Sequence, residues 1–233
     1  MGIGELFLLF LILAAVQPVL RKHFLETMRA RKIAQIERER GTRVIPLIYR
    51  QESMNLLGFP IVRALDMHEP EEVLRALHLS DDDTSLDIVL HAPARLGLPA
   101  LQIARAVAAH PGNVTVFVPY RARSGATLIA LAADRIVMCP HSVLVPVKER
   151  HRSAAAELLR THMDEDVALR IAEHLAGDTR RDDGPISAEQ ARSLGLPVTT
   201  DMPDAVLQLM SLYPQPLRRW SGGRHRLRRR RAG

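Results

Sequence analysis

The hydrophobic and polar positions of this chain follow the periods of an α/β fold. Apolar runs rich in β-branched residues cover residues 43–49, 86–91 and 114–120, and shorter strands are expected at 135–138 and 143–147. Stretches with apolar residues at helical spacing separate several of these runs. Successive strand–loop–helix units predict a largely parallel, buried sheet with right-handed crossovers, whose functional residues lie at the carboxyl ends of the strands.

The predicted helices connect these strands and then complete the domain. They cover residues 70–79, 99–110, 153–161, 164–176 and 201–213. Ser187 and Gln190 have the spacing of a capping box, which opens one more short helix that Gly195 closes. Residues 43–216 are therefore predicted to form a single domain.

Residues 1–22 are predicted to form a membrane anchor. Residues 6–16 are eleven consecutive apolar residues, which is short for a span. A cleaved signal peptide is the alternative, but no basic residue precedes the run and no clear small-residue cleavage site follows it. Basic residues follow the run instead. The positive-inside rule then predicts a single-pass protein of the cytoplasmic membrane, with its main domain facing the cytoplasm.

Residues 23–42 are predicted to form a basic, helical connector. Leu25, Met28, Ile33 and Ile36 give it a partial apolar stripe among arginines and glutamates. Such a helix could lie on anionic lipid headgroups, pair with a copy of itself, or remain a solvated spacer.

Composition narrows the possible partners. Of the 233 residues, 47% are hydrophobic and only 4% are aromatic, which argues against a nucleic-acid module that stacks bases. Cys139 is the only cysteine, so no internal disulfide forms. The net charge of +6 owes most to residues 217–233, which hold eight arginines. This tail is predicted to be disordered and to favour anionic lipid, with no specific nucleic-acid partner.

Ser124 lies at a corner where a predicted strand turns into a helix that begins at Gly125. Its hydroxyl is then next to the N–H groups at the start of that helix. Two interpretations fit this position. Ser124 caps the helix, as serine commonly does, or it is a nucleophile with an oxyanion hole beside it.

Several longer segments, in one order along the chain, carry a family resemblance. They are residues 43–52 (RVIPLIYRQE), 90–93 (LHAP), 100–104 (ALQIA), 114–119 (VTVFVP), 127–134 (TLIALAAD), 140–144 (PHSVL) and 195–201 (GLPVTTD). The chain resembles the serine dehydrogenase proteinase family, membrane-associated Clp-fold serine peptidases related to signal peptide peptidase A. The resemblance implies an α/β fold of the Clp/crotonase type, a spiral of ββα units that assembles into homo-oligomers.

The resemblance also implies roles for residues at the corner. Ser124 matches the nucleophile position, and the N–H of Gly125 would help to bind the oxyanion. The family has His-Thr-Pro-Gly-Gly after the second strand, and its glycines contribute to the oxyanion hole. Ala94 and Arg95 replace those glycines here. Their N–H groups remain candidate donors, but non-glycine residues adopt left-handed conformations only at a cost.

The sequence offers three candidates for the base that accepts the Ser124 proton. Relatives in the signal peptide peptidase group use a lysine. Lys148 is the only lysine after Ser124, but it lies in a segment that departs from the family pattern, so it is either the base or a surface lysine. His141 and His151 are two further weak candidates for the same role.

Three further residues complete the candidate set. Asp182 or Asp183 could orient a histidine base in a Ser–His–Asp arrangement. His91 ends the second strand beside the oxyanion loop, where it either lines the substrate pocket or has a structural role. No Cys/His cluster has metal-ligand spacing and no glycine-rich phosphate loop occurs, so neither a metal nor a cofactor is expected.

Two functions are compatible with these residues. The first is a membrane-anchored, ATP-independent serine peptidase that cleaves peptide or protein substrates through Ser124. The alternative is a catalytically inactive Clp-fold member that acts as an oligomeric scaffold or a peptide-binding partner at the membrane. The altered oxyanion loop and the unmatched base favour the alternative, whereas the matched corner around Ser124 favours the peptidase.

Overall fold

Strands and helices follow one another along the chain in the predicted order. The computed structural model describes residues 3–48, 52–56, 59–63, 70–81, 83–92, 98–176 and 184–213. The strands are β1 (Arg43–Ile48), β2 (Glu52–Leu56), β3 (Phe59–Arg63), β4 (Leu86–His91), β5 (Val114–Val118), β6 (Arg121–Arg123), β7 (Arg135–Met138), β8 (Val143–Val145), β9 (Ile186–Ser187) and β10 (Val198–Thr199). The helices are α1 (Ile3–Arg40), α2 (Pro70–His78), α3 (Leu98–Ala108), α4 (Gly125–Leu131), α5 (Arg152–Leu159), α6 (Glu165–Leu175), α7 (Ala188–Ser193) and α8 (Asp204–Ser211), with a 3-10 helix at Glu149–His151.

A parallel sheet forms the centre of the protein, and this prediction is confirmed. Its strands lie in the order β1-β4-β5-β7-β10, and every neighbouring pair is parallel. The carboxyl ends of the strands therefore meet at one edge of the sheet. The predicted capping box is also present, because Ser187 and Gln190 each accept a backbone N–H of the other.

Each face of the central sheet is buried by different helices. Ile88 and Val116 belong to a core cluster with side chains of α2 to α6, and both are 0% exposed. Val89 and Phe117, their neighbours along the strands, belong to a second cluster with side chains of α1 and α8. Burial on both faces explains why these strands are nearly continuous apolar runs.

A second, smaller sheet carries the corner that contains Ser124. Strand β6 pairs in parallel with β8, and β8 pairs in antiparallel fashion with β9. The sequence did not predict β6, because it has only three residues and both of its arginines are exposed. The antiparallel pair of β2 and β3 was not predicted either.

Helix α1 runs without interruption through both predicted N-terminal segments. Gly41, with a φ of 65°, ends it, and its N–H donates to the carbonyl of Glu37 at 2.8 Å. In the part of the chain that the structure describes, no helix combines the length and the apolar character needed to cross a membrane. The prediction of a single-pass membrane protein is therefore wrong. Its apolar run of eleven residues is well short of the ~20 that a span requires.

An ion pair with a buried carboxylate joins the end of α1 to the central sheet. The carboxylate of Asp87 on β4 is 1% exposed and pairs with the guanidinium of Arg40. The hydroxyl of Thr42 donates to the same carboxylate at 2.8 Å. The guanidinium also lies 4.9 Å from the ring centroid of Phe117. Because an isolated carboxylate is costly to bury, this pairing holds α1 against the sheet.

We expect Arg40→Met to lower the free energy of unfolding by about 3 kcal/mol, because Asp87 then stays buried without its cation. Urea unfolding followed by circular dichroism measures the change. Arg38→Met, at an exposed position of the same helical turn, is the control and should cost less than about 0.5 kcal/mol. Equal losses in the two variants would contradict a stabilising role for the ion pair.

Candidate active site

Ser124 has a backbone conformation that L-residues rarely adopt. Its φ is 50° and its ψ is −97°, and among the described residues no other non-glycine residue has a positive φ. Ser124 joins β6 directly to α4, so the chain turns from strand to helix at a single residue. Such a conformation costs about 1–3 kcal/mol and persists only where the surrounding structure holds it, often at a functional site.

The hydroxyl of Ser124 does not cap α4. Ser124 occupies the N-cap position, yet its side chain makes no capping hydrogen bond. A capping serine has a φ in the extended region, from which its oxygen reaches the N–H groups of the first turn. Ser124 is half-buried. Because its hydroxyl does not bond to the helix, the interpretation of Ser124 as a helix cap is wrong.

Hydrogen bonds to β8 hold the corner in place. The N–H of Ser124 donates to the carbonyl of Val145 at 3.3 Å. Thr127 in α4 is 0% exposed, and its hydroxyl lies 2.7 Å from the same carbonyl and 3.1 Å from the carbonyl of Ala122 on β6. The sequence did not predict these roles. No sequence signal marks a backbone carbonyl, although a threonine three residues after the serine could have indicated a side-chain contact.

The predicted oxyanion donors lie only partly within the described residues. Gly125 is the first residue of α4, so its N–H has no acceptor within the helix. The N–H of Ala92, at the end of β4, donates to the carbonyl of Arg121 on β6 at 3.1 Å. The predicted oxyanion loop, which follows Ala92, therefore starts beside the strand that leads into the corner. Outside the described residues lie Ala94, Arg95, Asp182, Asp183 and the arginine-rich tail at 217–233.

Lys148 and His151 lie close together after β8. Lys148 is half-buried and precedes the 3-10 helix, and its carbonyl accepts the N–H of His151 at 2.7 Å. Strand β8 runs parallel to β6, with Val145 opposite Arg123. The chain that continues from Val145 to Lys148 thus leaves β8 at the end where β6 reaches Ser124.

The surroundings of His151 make it a weak proton acceptor. Arg150 Nε donates to His151 Nε2 at 3.2 Å. Burial, followed by the positive charges of Arg150 and Lys148, lowers the pKa of His151. A lowered pKa disfavours the imidazolium that a histidine base must become.

His141 lies at the other end of β8. It is exposed in the turn between β7 and β8, where the N–H of Ser142 donates to the carbonyl of Cys139 at 2.9 Å. Together with His91 it borders a hollow of about 680 Å³ at the carboxyl edge of the sheet. The hollow is lined by His91, Pro119, Tyr120, Arg121, Cys139, Pro140, His141 and Leu207. This position separates His141 from Ser124 by the length of β8.

His91 forms part of the wall of this hollow. Its side chain is 6% exposed and its ring meets that of Tyr120 edge to face, with centroids 5.6 Å apart. Burial, followed by the charge of Arg121, lowers the pKa of His91 from 6.5 to about 4. Its buried Nδ1 makes no hydrogen bond with the described residues. His91 is therefore a neutral imidazole near pH 7.

Sequence comparisons relate the chain to one peptidase family. A family model described as ClpP-like SDH-type serine proteinase matches residues 2–156 and 148–224. Two uncharacterized proteins of Methanocaldococcus jannaschii, MJ1495 and MJ0137, are 34% and 33% identical to the chain. The alignments cover 91% and 90% of this chain and 85% of each relative.

Structural comparisons relate the fold to that of a known protease. Two mutants of the 1510-N membrane-bound stomatin-specific protease, one in complex with a substrate peptide, match with a TM-score of 0.50 each. Their sequence identities to this chain are 16% and 15%. The matches cover 71% of this chain and 77% and 82% of those chains. At such low identity the likeness concerns the fold, and it agrees with the predicted Clp/crotonase-type architecture.

We expect His91 to contribute to a loss of stability between pH 6.5 and about pH 4. In this window the unfolded chain protonates the imidazole and the folded protein does not, so the free energy of unfolding falls as the pH drops. The contribution of one such proton is at most about 3 kcal/mol. His91→Phe keeps a ring against Tyr120 and should make the fall smaller.

Urea unfolding of the wild type and the variant, at about pH 7 and about pH 4.5, measures this difference. His78→Phe, at an exposed position of α2, is the control and should follow the wild type. The same pH dependence in His91→Phe and in the wild type would contradict the assignment.

Proposed function

The chain belongs to the ClpP-like SDH-type serine proteinase family, and we propose that it hydrolyses peptide bonds with Ser124 as the nucleophile. The observation that carries this proposal is the conformation of Ser124, whose φ is 50° and whose hydroxyl does not cap its helix. A strained residue whose side chain does not cap the helix that follows it indicates a chemical role for that side chain. The substrate peptide bound to the 1510-N protease supports a peptide as the class of substrate.

In the proposed reaction, Ser124 Oγ attacks the carbonyl carbon of the peptide bond while its proton passes to a base. The new C–O bond displaces the carbonyl π electrons onto the oxygen. That oxyanion accepts hydrogen bonds from the N–H of Gly125 and from the loop containing Ala94 and Arg95. The C–N bond then breaks, and the base returns the proton to the leaving amine. Water hydrolyses the acyl-enzyme by the same steps.

We infer that Lys148 is this base. It lies three residues beyond Val145, whose carbonyl accepts the N–H of Ser124 at 3.3 Å. His141 lies at the opposite end of β8, and His151 has a lowered pKa and a nitrogen engaged by Arg150. A lysine carries its amine on a flexible four-carbon stem, which suits it to approach Ser124 from this segment. A lysine acts as a base only in its neutral form, so an alkaline rise in rate is expected.

Ser124→Ala should abolish covalent labelling by a fluorophosphonate probe, because the probe forms its bond with an activated serine oxygen. Intact-protein mass spectrometry measures the adduct. Ser153→Ala removes an exposed serine of α5 and should label like the wild type. Folded wild-type protein that forms no adduct would overturn the proposal and leave the non-catalytic, peptide-binding alternative.

Lys148→Ala should slow this labelling by at least about 100-fold, which is the size of a general-base contribution. Lys148→Arg should not restore the rate, because a guanidinium stays protonated. His151→Ala should keep most of the rate, and the wild-type rate should keep rising with pH above the histidine range. Loss of labelling in His151→Ala, with Lys148→Ala unaffected, would reassign the base to the histidine.

A further inference from the structure

The hydroxyl of Thr127 is a polar group in a completely buried helix. All seven residues of α4 are buried, and Thr127 is 0% exposed. Its oxygen lies 2.7 Å from the carbonyl of Val145 and 3.1 Å from that of Ala122. A hydroxyl has one proton to donate, so the shorter contact with Val145 is the principal hydrogen bond. A valine would fill the same space without these contacts.

The carbonyl of Val145 links this hydroxyl to Ser124. A carbonyl oxygen has two lone pairs, and Val145 accepts both the Thr127 hydroxyl and, at 3.3 Å, the N–H of Ser124. Val145 is also the last residue of β8 and lies opposite Arg123, the residue before Ser124. One carbonyl oxygen thus holds the amide of Ser124 and the first turn of the helix that follows it.

The competing arrangement of this corner is an ordinary capped helix. In that arrangement φ of Ser124 would be negative, and its oxygen would accept the N–H of Ala126 or Thr127, which are the second and third residues of α4. Those contacts would stabilise the helix and engage the oxygen that the peptidase mechanism requires. The observed φ of 50° and the missing capping bond exclude that arrangement here.

We propose that Thr127 is a positioning residue for the nucleophile. Its hydroxyl, acting through the carbonyl of Val145, keeps Ser124 at positive φ and prevents Ser124 from becoming a helix cap. The Ser124 oxygen then remains available to attack a substrate carbonyl. The catalytic consequence rests on the proposed function of Ser124, whereas the conformational consequence does not.

Three variants separate this role from simple packing. Thr127→Val keeps the shape of the side chain and removes the hydroxyl. Thr127→Ser keeps the hydroxyl and removes the methyl group. Ser142→Ala is the control for the loss of one buried hydroxyl, because Ser142 is 1% exposed and donates to the carbonyl of Cys139 at 3.0 Å. If Thr127→Val does not fold, Thr127→Ala makes the same comparison with Thr127→Ser.

Two measurements on the folded variants decide the proposal. We expect fluorophosphonate labelling to slow by about tenfold or more in Thr127→Val, because a buried hydrogen bond is lost. Thr127→Ser should recover most of the rate, and Ser142→Ala should label like the wild type even where its melting temperature falls. In a crystal structure of Thr127→Val, Ser124 should have a negative φ and its oxygen should accept an N–H of α4.

A folded Thr127→Val protein with Ser124 at positive φ and wild-type labelling would overturn the proposal. So would a rate that follows melting temperature across all the variants, because Thr127 would then act only through stability. If the wild type forms no adduct, the peptidase function fails, and the φ of Ser124 in Thr127→Val still decides the positioning role.

Discussion

The geometry of the site depends on one backbone carbonyl, that of Val145. It accepts hydrogen bonds from the amide of Ser124 and the hydroxyl of Thr127, so β8 is tied to both sides of the corner between β6 and α4. A turn from strand to helix at a single non-glycine residue is strained, and such strain persists only where several contacts oppose its relaxation. These two hydrogen bonds are contacts of that kind, made where α4 is entirely buried.

The parallel sheet supplies a second condition, because it brings the ends of separate strands together. The N–H of Ala92 donates to the carbonyl of Arg121, so the loop after β4 begins beside β6. The residue from which that loop starts is therefore held beside the strand that leads to Ser124. The ion pair of Arg40 and Asp87 lies on the face of the central sheet that α1 and α8 cover, whereas α4 covers the other face. The contacts that hold α1 in place and the residues proposed for catalysis thus lie on different faces.

Elements with a clear local pattern could be predicted from the sequence, and contacts between distant residues could not. β4 and β7 have their predicted bounds because most of their residues are apolar and lie buried on both faces of the sheet. The position of Ser124 was predicted, but its φ depends on Val145 and Thr127, which lie 18 residues apart in the chain. The membrane prediction failed for another reason, since apolar character alone does not make residues 6–16 long enough.

Positive charges weaken the two histidines His91 and His151 as proton acceptors. After burial, positive neighbours are the next cause of a lowered pKa, with Arg121 acting on His91 and with Arg150 and Lys148 acting on His151. Such a field makes an imidazole, whose ordinary pKa is about 6.5, a weak base near neutral pH. Positive charge beside the site would also favour a developing oxyanion, so the charge that weakens a histidine base would assist the other half of the proposed reaction.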